Sequence, residues 1–149
     1  MTLSRSIIGH TYEPLAPYAV TAGKITEFAD AIGEQNPIYR EVGAAVAAGH
    51  PGQIAPPTFP VILNLRAIEA VVRSPEFGAG SPVLVHVDQS FIHHRPARSG
   101  DELVLTTTID DVTSRAGHDV VTVRGEIATT TGEPVTTCRS RLIVRGGTE

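Results

Sequence analysis

The alternation of apolar and polar residues divides the chain into two halves. In the first, Ile25, Phe28, Ala29 and Ile32 recur at i, i+3, i+4 and i+7, the spacing that lines one face of an α-helix. Thr21 stands before this face as an N-cap, and Gly33 follows it at the left-handed position that ends a helix. Glu41 to Ala48 reads as a short alanine-rich helix closed by Gly49. Pro56 and Pro57 suit a loop and the first turn of a helix, where a missing N–H does no harm. Residues 61–72, VILNLRAIEAVV, begin apolar on nearly every side, which predicts a helix covered by other structure.

The second half switches to a period of two. Val83, Val85, Val87 and Phe91 fall on one face, as do Leu103, Leu105 and Ile109, then Val121, Val123 and Ile127, then Cys138, Leu142 and Val144. RPARSGD, SRAGHD and TTTGEP separate these runs as turns. Four strands joined by short turns predict an antiparallel meander. A sheet with one apolar face needs a cover, and the 61–72 helix supplies it, so the expected class is α+β.

Composition then narrows the function classes. The 149 residues are 41% hydrophobic and 19% charged, ordinary for one domain spanning 1–149 with a real core. A net charge of −4 and the lack of a basic block remove the electrostatic footprint of a nucleic-acid binder. The single cysteine, Cys138, excludes an internal disulfide framework and cysteine-type zinc clusters. With no Trp, four Phe and three Tyr, aliphatic side chains must build the core. The N-terminal stretch MTLSRSIIGHTYEP has no apolar run long enough for a signal peptide, and no segment approaches a membrane span. The expectation is a soluble cytoplasmic protein.

The polar residues offer few generic sites. His93 and His94 are adjacent in one strand and so point to opposite faces, which rules out joint metal ligation, and no metal is expected. Asp88 and Gln89 fall on the strand face expected to meet solvent. The glycines at 43, 49 and 52 have no preceding strand and no following lysine, so they form no phosphate cradle. Asn36–Pro37 is a generic turn pair.

Two longer stretches carry more. FADAIGEQNPIYREVGAAVAAGHPGQIAPPTF and VHVDQSFIHHRPARSGDELVLTTTI resemble the MaoC-like dehydratase and (R)-specific enoyl hydratase family. More narrowly, they resemble the HadA-type subunit of the actinobacterial (3R)-hydroxyacyl-ACP dehydratases. The resemblance covers nearly the whole chain. It implies a hot-dog fold, an antiparallel sheet wrapped around a central buried helix. It also implies reversible dehydration of (3R)-3-hydroxyacyl thioesters, without a cofactor, on an acyl-ACP or acyl-CoA substrate. In that family a glycine–aspartate–any–asparagine–proline–any–histidine motif supplies an acid–base pair. Backbone N–H groups at the start of the central helix receive the thioester oxygen.

This chain departs from that pattern twice. In IGEQNPIYRE, Glu34 replaces the motif aspartate and Tyr39 replaces the histidine. An unperturbed phenol has a pKa of about 10, so at neutral pH it donates a proton and does not serve as a base. At the head of the central helix, Pro56–Pro57 stands where the resemblance places a histidine–glycine pair. Proline has no N–H, and loss of one oxyanion donor costs about 100- to 1000-fold in rate. Glu34 and Tyr39 are therefore the degenerate catalytic positions, with Asn36, Pro57 and Thr58 at the expected substrate site.

Three readings follow. The first is a non-catalytic subunit that completes an acyl pocket beside a hot-dog partner with an intact aspartate–histidine motif. The second is a self-sufficient homodimer using Glu34 with Tyr39 or His50. The third is a non-catalytic acyl-thioester binding protein.

Overall fold

The computed structural model describes residues 3–77 and 83–145. Helix α1 spans Ala22–Ile32, α2 Val42–Ala47 and α3 Val61–Val72; short 3-10 turns occupy Arg5–Ile7, Pro37–Tyr39 and Pro75–Phe77. Short strands β1 (Thr11–Tyr12) and β2 (Tyr18–Ala19) precede four long ones: β3 (Val83–His93), β4 (Glu102–Arg115), β5 (His118–Thr129) and β6 (Pro134–Arg145). Each helix lies where the apolar spacing predicts it. Thr21 Oγ1 accepts from Lys24 N at 3.2 Å, and Gly33 ends α1 with φ +70°, so both caps of α1 act as their residue types dictate.

All strand pairings are antiparallel, in the order β1–β4–β5–β6–β3, with β2 also on β4. The α+β layout with a central buried helix is as expected. The simple meander is not. β4, β5 and β6 follow one another, but β3 pairs with β6, so the RPARSGD segment is a crossover between non-neighbouring strands and no hairpin turn. A charged clamp and a strand-like strap hold it there. Arg95 forks onto Asp101 at 2.8 and 2.9 Å and reaches Glu133 at 2.8 Å, a planar bidentate contact of the kind arginine favours. The Ala97 carbonyl accepts from Ala55 N at 2.7 Å, and Gln53 O accepts from Ser99 N at 3.0 Å.

A second difference lies in β3. Its register against β6 shifts between His86 and Asp88, and such a bulge moves every later residue to the opposite face. Val83, Val85 and Val87 are therefore 59, 46 and 47% exposed, while Phe91 packs against the core. Gln89, expected outside, turns inward for the same reason.

The stripes predicted for β4, β5 and β6 are buried, and they meet α3 through Leu63, Asn64, Ala67, Ile68 and Val71. Asn64 is the exception in this apolar face. Its Nδ2 donates to Gln89 Oε1 and Ser140 Oγ, both at 2.8 Å, and Ser140 Oγ donates to Gln89 at 2.6 Å. Gly125 makes the approach possible: a Cβ there would stand 2.8 Å from Leu105 Cδ1 and 3.3 Å from Asn64 Oδ1. Truncating Asn64 removes this link and leaves buried partners short of a donor. We expect Asn64→Ala to lower stability by about 1–3 kcal/mol, read as a shift in the denaturant midpoint.

Candidate functional site

The IGEQNPIYRE segment folds as a tight turn whose polar groups serve its own backbone. Glu34 N donates to Ala29 O at 2.8 Å just past the left-handed Gly33, so the helix end and the motif are one structure. The Glu34 carboxylate accepts from Asn36 N at 2.9 Å, and Asn36 Oδ1 accepts from Ile38 N at 3.2 Å, capping the Pro37–Tyr39 turn. Pro37 sits at the first position of that turn, where its missing N–H is harmless. Arg40 pins the segment from outside, donating from Nε to Glu34 O at 3.0 Å and pairing with Asp30 at 2.7 Å.

Gln53, which no sequence pattern marks, pins it from inside. This buried side chain donates from Nε2 to Tyr39 O at 2.8 Å and to Thr26 Oγ1 at 3.3 Å. It thereby ties the turn to α1 and to the strap that leads into α3.

Tyr39 is half-buried beside Glu34. Burial, and secondarily the negative charge of Glu34, raise its phenol pKa above the ordinary 10.0. Both effects disfavour the phenolate. The ring therefore offers a hydrogen-bond donor at neutral pH and no base. His50 donates its backbone N–H to Ala45 O at 3.0 Å, and no hydrogen bond draws its ring toward Glu34 or Tyr39 among the described residues.

The head of α3 adds a feature visible only in three dimensions. Residues 57–60 form a turn that runs directly into the helix, with Pro60 as N-cap. Pro56, Pro57 and Pro60 have no N–H, and Phe59 N donates to Pro56 O at 2.9 Å. Thr58 N–H bonds to nothing among the described residues; Thr58 and Pro57 are both exposed. Phe59 anchors this turn in the core, edge-on to Phe28 at 5.5 Å and Tyr18 at 6.4 Å between ring centres.

The remaining candidates stay apart. His93 bonds to Thr136 at 3.0 Å and His94 to Thr137 at 3.2 Å, on neighbouring rungs of the ladder. Asp88 pairs with Arg141. No group of three metal-binding side chains occurs among the described residues. Cys138 is fully buried, and burial pushes its thiol pKa up to about 12, so it is no nucleophile.

Residues 6–138 match the FAS1-like dehydratase domain region. The chain belongs to this family. A "UPF0336 protein" of Saccharopolyspora erythraea is 47% identical over 149 residues, covering all of this chain and 96% of its own. Among solved structures, the C-terminally truncated HadBC (3R-hydroxyacyl-ACP dehydratase) complex of Mycobacterium tuberculosis contains a chain that superposes with a TM-score of 0.83. It is 28% identical, and the match covers 92% of this chain and 96% of that one. A MaoC-like dehydratase superposes at 0.79 with 29% identity; there the match covers 95% of this chain but 43% of the other. These matches establish the hot-dog fold and the relation to MaoC-like dehydratases. Among the described residues, this FAS1-like dehydratase-family chain has no helix long and apolar enough to cross a membrane.

The opposed groups of the turn give a direct check. Tyr39 should titrate above pH 10.0, and Glu34→Gln should lower its pKa toward the ordinary value by removing the neighbouring charge. Tyrosine-selective NMR titration, assigned with Tyr39→Phe, reads both; a Tyr39 pKa below 10 contradicts the arrangement.

Proposed function

We propose that this chain is the non-catalytic subunit of a heteromeric (3R)-3-hydroxyacyl-thioester dehydratase, of the HadA type. In this reading its partner is a hot-dog chain with an intact aspartate–histidine pair. The carrying observation is the Glu34–Tyr39 pair itself: the phenol is held protonated and the carboxylate is engaged with Asn36 N–H. A dehydratase of this family must take the α-proton of the acyl thioester; the protonated phenol cannot, and one oxygen of the Glu34 carboxylate is committed to Asn36 N–H. The proline-rich helix head, where Pro56, Pro57 and Pro60 offer no N–H and Thr58 N–H is a free exposed donor among the described residues, supports the same reading. A preorganised oxyanion site ordinarily converges more than one donor on the developing charge. Thr58 and Asn36 then border the acyl thioester of the pair without driving its chemistry.

Support for a partner comes from β3. It is an edge strand of eleven residues whose outer side is unpaired among the described residues, a form that soluble proteins ordinarily protect. Val83, Val85 and Ile92, the last 64% exposed, lie outward along it, and Leu65 of α3 is 47% exposed. Successive residues of α3 turn by about 100°. Leu63 therefore faces β4, Asn64 faces β6 and β3, and Leu65 continues past the β3 edge. A second hot-dog unit pairing with β3 would cover both. The structural neighbours include a chain of the heteromeric HadBC complex and a chain more than twice as long as the matched segment.

The test is reconstitution. The purified chain should hydrate a trans-2-enoyl thioester at background rate. A hot-dog chain with the intact motif, added to it, should restore turnover at least about 100-fold. Val85→Lys with Ile92→Lys should abolish the complex in size-exclusion chromatography while the chain stays folded. Turnover by the chain alone at an ordinary enzymatic rate, lost in Glu34→Gln, would sink the proposal.

A further inference from the structure

Away from the motif and from the β3 edge, the structure forms an open cleft of about 300 Å³ lined by Leu15, Ala16, Tyr18, Leu63, Arg66, Leu103 and Leu105. It lies between α3, β4 and the N-terminal segment, and its lining residues come from this chain. Arg66 and Asn64 are two residues apart on α3 and therefore project roughly 200° apart. The cavity thus lies on a different side of the helix from the Asn64 contact with Gln89 and Ser140.

Its lining is aliphatic apart from two polar ends. The Arg66 guanidinium lies 5.2 Å from the centre of the Tyr18 ring, a cation–π contact that holds the charge in place without neutralising it. Among the described residues, no carboxylate or carbonyl accepts from Arg66, and the Tyr18 hydroxyl makes no hydrogen bond. An apolar chamber with a held, unpaired cation and a free phenol fits a ligand with an aliphatic tail and an anionic oxygen head. The volume sets the size: at about 30 Å³ per water-sized group, it takes roughly ten heavy atoms.

We propose that this cavity is a binding site for a medium-length aliphatic carboxylate of about eight carbons. The tail lies against Leu63, Leu103 and Leu105, and the carboxylate pairs with Arg66 and accepts from Tyr18 Oη. An acyl thioester lacks charge next to its chain, so Arg66 separates this ligand from the thioester substrate proposed above. The site needs no partner chain and stands or falls independently of that assignment.

Calorimetric titration of the full chain with octanoate and with octan-1-ol, which has the same tail without the charge, tests it. Octanoate should bind saturably and about two- to fivefold more tightly than octanol, the range for an exposed charge pair. Arg66→Gln should weaken octanoate by the same factor and leave octanol unchanged, and Arg66→Lys should recover part of the loss. Ala16→Trp, an exposed position at the rim, should abolish binding of both while thermal stability is retained. Equal affinity for octanoate and octanol, or no effect of Arg66→Gln, would show a neutral-chain site and overturn the proposal. So would binding that survives Ala16→Trp, or no saturable octanoate binding at all.

Discussion

One buried amide sets the geometry of this molecule. Helix α3 is apolar along its covered side, and a purely apolar helix slides and rolls on an apolar sheet at little cost. Asn64 removes that freedom. Its side chain is buried, and an unpaired buried amide would cost about 1–3 kcal/mol, so the helix must adopt the rotation that brings it to Gln89 and Ser140. Gln89 is available because the β3 bulge turns it inward, and Gly125 leaves the space for the approach. With that rotation set, Leu63 and Arg66 face β4 and the N-terminal segment, and Leu65 faces the open edge. The location of the cavity, the exposed flank and the helix head all follow from it.

The motif region shows how a turn can persist while its polar groups take on other work. Gly33, Asn36 and Pro37 each satisfy a local backbone requirement: a left-handed helix end, a cap and a first-turn proline. Glu34 joins them by accepting from Asn36 N. None of these contacts depends on an acid–base pair, so the turn keeps its shape with tyrosine in place of histidine. The same holds at the head of α3, where three prolines stiffen the entry and remove three backbone donors from it. Gln53 links the two regions, holding Tyr39 O and α1 from the strap before α3.

The two open surfaces differ in physical character. The β3 edge offers unpaired backbone and outward valines, which suits strand pairing with a second unit. The Arg66 cleft is lined by one chain and carries a charge, which suits a small amphiphile. They involve different residues of α3, Leu65 at the edge and Leu63 and Arg66 at the cleft.

Much of this was legible in the order of residues alone. The caps of α1, the extent of α3, the inward stripes of β4, β5 and β6, and the altered Glu34 and Tyr39 depend on interactions within a few positions, and the chain states those directly. The family resemblance followed from the same local motifs. What only the tertiary structure decided involves partners far apart in sequence. Val83, Val85 and Val87 alternate as a core stripe would, but periodicity identifies a stripe without saying which side is covered. The bulge between His86 and Asp88 is a matter of register against β6, some 50 residues on. The placement of β3 beside β6, the clamp of Arg95 on Asp101 and Glu133, the role of Gln53 and the Arg66 cavity likewise arise from long-range packing. Local periodicity is written residue by residue, whereas strand order and enclosed space exist only after distant segments meet.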